Sequence, residues 1–586
     1  MRPVRENWVI TAKRADFNAI AKEYGIDPLI ARLIINRDIE PDRIGEYLNG
    51  SLSDLHDPGL LADVGKASGL ICRAIKEKTP IRVIGDYDID GVNSTYILTD
   101  GLKKLGACVD YAIPDRLEDG YGLSYNLIDK AISDARALII TCDNGISAYS
   151  EIEYAKDKGL TVVVTDHHDV PYIMEGQERR EVLPPADAVV DPKRSDCAYP
   201  YSGICGAVVA MKVLQVVYCD MGREITEPFR YMENAAFATV GDVMELKDEN
   251  RIIVKYGLEQ INSTKNPGLK ALIKVCDIRR VSAYHFGFVI GPCINAAGRL
   301  DTALKAVELL AADDKRAEEL ASELSELNAR RKDMTMRGEE EAVSMIESAA
   351  WTDDKVYIIY LPDIHESIAG IIAGRLRERY ERPVFVITGT GDTLKGSGRS
   401  ISAYSMYDEM SAVRELFTKF GGHPMAAGFS MKRSDIDELR RRLNENETLT
   451  DEDLIPRQRI DAAMPLDYIS QKLIEELDIL EPTGNGNPKP VFAIKDHIFV
   501  RADRMGEDGR HLRINVRTTS GNIMKALLFS KADEFLEGYA RSYGESALEN
   551  LLSGRGDKPV KVCYHPVLNE FRGTVSIEIR IDRFQF

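Results

Sequence analysis

Asp86, Asp88 and Asp90 occupy alternate positions and are followed at once by Gly91, where the chain can turn sharply. Asp143, Asp166 and Asp242 each follow another apolar segment, and His167-His168 directly follow Asp166. If these groups converge, their carboxylates repel and raise one another's pKa unless cations neutralise them. Carboxylate oxygens with one or two imidazoles form a hard oxygen/nitrogen set. Such a set favours Mn²⁺ or Mg²⁺ over a thiolate-seeking metal, and the histidines disfavour Ca²⁺. There are ligands enough for two ions, and a pair ~3.5–4 Å apart suits phosphodiester hydrolysis by activated water. A calcium loop of the EF-hand type is excluded, because its twelfth position counted from Asp86 is Ile97 rather than Glu. One acidic strand end or one His-His pair is ordinary loop or cap chemistry. The weight lies in the coincidence of four such sites.

The elements that must position them follow a common design. Ile81-Arg-Val-Ile-Gly runs into Asp86, Ala137-Leu-Ile-Ile-Thr-Cys into Asp143, and Thr161-Val-Val-Val-Thr into Asp166. Ala235 to Gly241 runs into Asp242 but is poor in β-formers and suits a helix start equally well. Apolar residues at helical spacing fill Ser94 to Leu105 and Ser147 to Lys158. Buried strands alternating with amphipathic helices predict βαβ units and a parallel sheet. In such sheets ligands bind beyond the carboxyl ends of the strands, where these acids fall. A long helix is predicted over 311–350, and a second α/β unit after it with strands at Val356 to Tyr360 and Pro383 to Ile387. From Arg457 the pattern turns to period two. Leu512, Ile514 and Val516 oppose Arg513, Asn515 and Arg517, and Val575, Ile577, Ile579 and Ile581 repeat it, predicting a small β-barrel.

The 586 residues predict three or four domains, and 44% hydrophobic with 29% charged residues is ordinary globular composition. The opening MRPVRENWVITAKR has no apolar run, so no secretory signal is expected. Ala207 to Tyr218, the most apolar stretch, is short and interrupted by Lys212, far from the ~20 residues of a membrane helix. Nine scattered cysteines without a CxxC pair predict free thiols in a reducing, cytoplasmic setting. A net charge of −18 opposes non-specific nucleic-acid binding, so any such contact must lie in a confined groove.

Asp166-His167-His168 after a β run, with DxDxDG upstream and Gly241-Asp242-Val243-Met244-Glu245-Leu246 downstream, resembles the motifs of the DHH phosphoesterases. The resemblance covers nearly the whole chain and sharpens to the RecJ exonucleases. Thr141-Cys142-Asp143-Asn144-Gly145 is similar to the second motif, and Gly291-Pro292-Cys293-Ile294-Asn295-Ala296-Ala297-Gly298-Arg299-Leu300 to a signature that follows the DHH domain. Gly396-Ser397-Gly398-Arg399-Ser400 and Phe420 to Gly428 resemble the DHHA1 domain, and Gly484-Asn485-Gly486-Asn487-Pro488 the start of an OB-fold.

The resemblance implies an α/β architecture: a parallel-sheet DHH domain and a smaller α/β DHHA1 domain joined by a long helix, then an OB-fold β-barrel. The expected bounds are an N-terminal helical segment packing on the core at 1–79, DHH at 80–310, the helix at 311–350, DHHA1 at 351–445 and the barrel at 456–586. It further implies two ions, Mn²⁺ or Mg²⁺. Asp86, Asp88 and Asp143 would hold one, and Asp90, Asp143, His167 and Asp242 the other, with Asp143 bridging. His168 would sit near the scissile phosphate, Asp166 would orient its loop, and His423 would face the substrate. Arg116, Arg299, Ser397 and Arg399 would grip a terminal 5′ phosphate, since arginine offers two donors to phosphate oxygens at once.

The implied activity is 5′→3′ digestion of single-stranded DNA to mononucleotides in repair and recombination. The alternatives are an oligonucleotide or cyclic-dinucleotide phosphodiesterase, and a catalytically dead scaffold, which the complete set of acids and histidines opposes. Single-stranded DNA is the implied partner, a single-stranded-DNA-binding protein and a helicase are further candidates, and a monomer is expected. The large extra domain that some of these proteins carry after the barrel is expected to be absent.

Overall fold

The computed structural model describes residues 6–116, 119–176, 178–348, 354–571 and 573–586. Residues 1–5, 349–350 and 351–353, expected in the N-terminal segment, the long helix and the following domain, lie outside the described residues. The chain divides into two units. One comprises Met1–Gly50 with Ile455–Phe586, and the other Ser51–Leu454.

The larger unit holds a five-stranded parallel sheet in the spatial order Val109–Ala112, Ile81–Ile84, Leu138–Cys142, Thr161–Thr165, Ala188–Val190. Its central strands are buried apolar runs, as a sheet covered on both faces requires. Strand order reverses between Ile81–Ile84 and Leu138–Cys142. That switch point opens a crevice at the strands' carboxyl ends, between Asp86 and Asp143. The run before Asp242 is not a strand. It is the end of helix Met232–Gly241, and Asp242 caps its carboxyl terminus. The sheet is completed instead by Ala188–Val190, a run too short to stand out by periodicity.

The apolar stretch around Lys212 forms helix Gly206–Asp220, buried along nearly its whole length. Lys212 reaches Glu249 at 2.8 Å with both side chains sequestered from solvent. Truncating Glu249 to Ala strands a buried ammonium and is expected to cost about 3–5 kcal/mol. Replacing both partners by Met and Leu should restore much of the loss. Urea denaturation of the single and double variants reads the difference, and an unchanged midpoint in Glu249→Ala would exclude the effect.

Helix Asp314–Ser348 leads to a second, mixed sheet of five strands. There Tyr357–Tyr360 and Val384–Thr388 run parallel, and Thr393–Arg399, Ala426–Lys432 and Phe417–His423 add antiparallel. The nine cysteines are free thiols. Among the described residues no helix is long and apolar enough to cross a membrane.

In the smaller unit an eight-stranded curled sheet forms the OB-type half-barrel. Leu512, Ile514 and Val516 are buried while Arg513 and Arg517 face solvent, as period two predicts. Val575 departs from the expected pattern. It is 47% exposed, because its long hairpin extends beyond the packed part of the barrel, whereas Ile579 and Ile581 are buried.

The expected N-terminal segment 1–79 is divided. Residues 6–50 share the barrel's core: Ile30, Leu33 and Ile34 pack in one cluster with Leu466, Phe492 and Ile514. Asn487 of the GNGNP motif ties the two together. Its carbonyl accepts from Arg37 and Tyr47, and its amide donates to Leu480 and Pro482. Residues 51–79 instead contribute helix Val64–Glu77 to the larger unit, against helix Gly206–Asp220.

Candidate active site

Asp86, Asp88 and Asp90 lie where strand Ile81–Ile84 passes into helix Ile89–Lys104. Asp88 caps that helix, accepting the backbone N–H groups of Asp90 and Gly91. A Cβ on Gly91 would lie 2.5 Å from the carbonyl oxygen of Asp86, so only glycine permits this tight return. Asp90 turns the other way. Its carboxylate accepts the N–H groups of Gly206 and Ala207 at 2.6 and 2.7 Å, at the start of helix Gly206–Asp220. Asp143 follows strand Leu138–Cys142 in the left-handed region, at φ 60°.

These groups meet. One oxygen each from Asp86, Asp88 and Asp143 lies within mutual ligand range, as do ligand atoms of Asp90, His167 and Asp242. Asp143 also groups with His167 and His168. His167 Nε2 stands 3.0 Å from Asp143, 3.4 Å from Asp90 and 3.7 Å from Asp242. Both oxygens of Asp86, Oδ1 of Asp143 and both ring nitrogens of His167 are buried without a hydrogen-bond partner. Buried polar atoms left unpaired cost free energy, and converging unpaired acids and imidazole fit a pair of divalent cations.

Electrostatics agree. Burial, reinforced by the neighbouring aspartates, pushes Asp86 and Asp143 well above the usual carboxylate range, and Asp88 upward for the same reasons. Burial depresses the His167 imidazole. Asp166 behaves differently. Burial acts to raise its carboxyl, but hydrogen bonds from the His168 ring and from Ile146 N–H outweigh it and hold it low. It therefore braces the histidine loop, a supporting role of the kind common around metal ligands. His168 is 45% exposed on its side chain. Burial pulls its pKa down, but Asp166 and the nearby acids raise it to about 9.

Asp242 shows the consequence for pH. Burial first, then Asp90 and Asp88, raise its carboxyl from 3.8 to about 8. The folded chain thus holds this proton more tightly than the unfolded chain, and metal-free stability falls as pH rises between those values. A divalent ion removes the repulsion. Mn²⁺ is accordingly expected to raise Tm more at pH 8 than at pH 5. Thermal melts with and without the ion test this, and an equal shift at both values contradicts it.

The four expected phosphate contacts also assemble. Arg116, Arg299, Ser397 and Arg399 line one cavity of about 320 Å³ with Ser367 and Gly370 at the start of helix Glu366–Tyr380. Arg299 donates to the Ser367 carbonyl at 2.7 Å, and Arg399 to Ser397 Oγ at 3.2 Å. Burial and the neighbouring Arg116 and Arg331 depress Arg299 to about 10, and Glu366, the acid in the lining, is paired with Lys395.

Tyr87, between the first two aspartates, links the cavity to the acid cluster. The Arg116 guanidinium lies 5.1 Å from its ring centre, and Gly298 is pressed so close that a Cβ there would lie 2.4 Å from its carbonyl oxygen. His423 lies at the exposed end of strand Phe417–His423. Its charge reaches Asp169, whose carboxyl is held low chiefly by Lys193. Sequence reasoning missed Tyr121, which donates to the Asp143 carbonyl at 3.0 Å and stands against His168. An isolated tyrosine in a glycine-rich loop carries no periodic signal.

A parallel sheet with acids and histidines at its switch point, joined through a long helix to a small mixed sheet bearing a basic cavity, defines a DHH-type phosphoesterase. The sequence matches the DHH family, N-terminal domain over residues 80–241, the DHHA1 domain over 353–447 and the RecJ OB domain over 460–583. The chain belongs to the RecJ family: it is 34% identical to the single-stranded-DNA-specific exonuclease RecJ of Escherichia coli (strain K12), over 95% of this chain and 96% of that protein. It is 35% identical to the RecJ of Bacillus subtilis (strain 168) over 86% of this chain, a match spanning 63% of that longer relative. A crystal structure of RecJ in complex with Mn²⁺ from Thermus thermophilus superposes with a TM-score of 0.81 at 27% identity, covering 99% of this chain and 79% of that one.

Proposed function

We propose that this protein is a metal-dependent exonuclease that digests single-stranded DNA 5′→3′ to mononucleotides. The observation that carries the reading is the buried, unpartnered acid and imidazole set beside a cavity of three arginines. Asp86, Asp88 and Asp143 would hold one Mn²⁺ or Mg²⁺ ion, and Asp90, Asp143, His167 and Asp242 a second. Two ions so held would supply activated water and neutralise charge on the scissile phosphate.

The chain's own residues do the rest. Arg116, Arg299, Ser397 and Arg399 seat the terminal 5′ phosphate, which fixes the strand's polarity and the register of cutting. His168, braced by Asp166, offers an N–H to a phosphate oxygen at the scissile position, and His423 approaches from the facing hairpin. The Arg513 and Arg517 face of the barrel suits a single-strand backbone. In the cell we place the enzyme in the cytoplasm, in repair and recombination, as a monomer working with a single-stranded-DNA-binding protein and a helicase.

The test is incubation with Mn²⁺ and a long single strand labelled at either end, its blunt duplex, and a dinucleotide. Release of the 5′ label as a mononucleotide, weak on duplex, is the expected result. Exclusive cutting of the dinucleotide would move the protein to the small-substrate phosphodiesterases.

A further inference from the structure

Helix Gly291–Leu300 continues without a break from a π-helical turn, Phe286–Ile290, which itself follows a short helical start at Ala283–His285. This rod runs beside the first acidic motif. Gly298 abuts the Tyr87 carbonyl, and a Cβ on Gly291 would lie 3.3 Å from the side chain of Ile89, the residue between Asp88 and Asp90. The Phe286 ring centre stands 5.0 Å from that of Phe237, and Gly287 faces Val240. Phe237 and Val240 both belong to the helix that ends at Asp242. From its carboxyl end, then, the rod passes Arg299 in the arginine cavity, next Tyr87, and next the segment that carries Asp88 and Asp90.

Beyond that segment the rod bears two rings that the fold leaves uncovered. Tyr284 and Phe288 are 63% and 68% exposed, and they stack on each other with centres 5.2 Å apart and planes at 24°. Phe288 stands about 16 Å from Arg299 along the rod, at 1.5 Å per residue. Arg279 and Arg280, just before the rod, are exposed, and among the described residues neither has a carboxylate within ion-pair distance. In a chain of net charge −18 this is a local basic spot. Flat rings beside unpaired guanidiniums suit bases joined by phosphates, since the rings accept a base face and the guanidiniums the backbone. A purely apolar partner would use the rings and leave the guanidiniums idle. We propose that Tyr284 and Phe288 form a stacking platform for bases of the single strand on the 3′ side of the cut, with Arg279 and Arg280 against its backbone. The proposal rests on the exonuclease reading above: with the 5′ phosphate in the arginine cavity and the scissile bond at the acids, the continuing strand is the part that reaches the far end of the rod. Stacking is tolerant of sequence, because every base offers a π face, and a nuclease that digests any strand requires that tolerance.

The test is 5′-label release by the whole protein with Mn²⁺ on a 5′-phosphorylated strand, intact or carrying abasic sites 3′ of the first linkages. Tyr284→Leu with Phe288→Leu, which keeps apolar bulk but removes the rings, should raise KM for the intact strand about tenfold or more at unchanged Tm. Abasic sites should cost the wild type a similar factor and the double variant little further, because ring and base act as one pair. Phe288→Tyr alone should retain the wild-type KM. Wild-type kinetics in the double leucine variant, or equal abasic losses in both proteins, would overturn the platform while leaving the exonuclease reading intact. A halved mass of the double variant in analytical ultracentrifugation would give the rings to a second copy of the chain and overturn it as well. No release of 5′ label by the wild type would sink the exonuclease reading and the platform with it.

Discussion

Asp143→Asn is expected to abolish metal-dependent cleavage while making the metal-free protein more stable at pH 8. Among the described residues, Asp143 alone belongs both to the group with Asp86 and Asp88 and to a group with His167, so its oxygens would serve both proposed ions. Losing an atom shared by two ions should lower kcat/KM by at least ~10³-fold, about 4 kcal/mol in the barrier. The stability effect has the opposite sign. The Asp143 carboxyl is raised by burial and by Asp90, Asp88, Asp86 and Asp242, so in the metal-free fold its negative form is held against repulsion. Asparagine keeps the shape, tolerates the left-handed backbone at φ 60°, and carries no charge. The pair of measurements is the Tm in EDTA at pH 8 and the rate of 5′-label release with Mn²⁺. A variant that loses activity and also loses Tm would indicate a merely structural aspartate.

The second large effect is on end selection. Arg299→Ala with Arg399→Ala should reduce kcat/KM for a 5′-phosphorylated strand by about 10²–10⁴-fold, since each charge-assisted contact contributes roughly 1.5–3 kcal/mol. A 5′-hydroxyl strand should lose far less, so the preference between the two ends collapses. Both arginines are tethered by carbonyl oxygens, Arg299 to Ser367 and Arg399 to Gly398, which aims them into the cavity before any ligand arrives. Matched substrates differing only in the terminal phosphate make the comparison. Equal losses on both would assign these residues to general strand binding instead.

Much of the site was legible in the sequence because its ligands sit where local patterns end. A buried β run followed by an acid places that acid at a strand's carboxyl end, and strand ends in a parallel sheet share one crevice. Asp86, Asp143 and Asp166 follow from that rule. Asp242 does not, since its run is a helix, and only packing of that helix against the switch point brings it to His167.

Tertiary structure alone decided the remainder. Arg116, Arg299 and Arg399 stand in unrelated stretches of chain, and their common cavity exists because the second sheet closes over the end of the helix that carries Arg299. The helices of residues 6–50 show an apolar face, yet periodicity says which face is buried and not what covers it. The covering partner proved to be the barrel at the other end of the chain. Asp90 finds its donors in the first turn of a helix far along the sequence. Local chemistry therefore determined which residues are reactive and how they alternate. Contacts remote in sequence, governed by shape and burial rather than by spacing, decided which of them face one another.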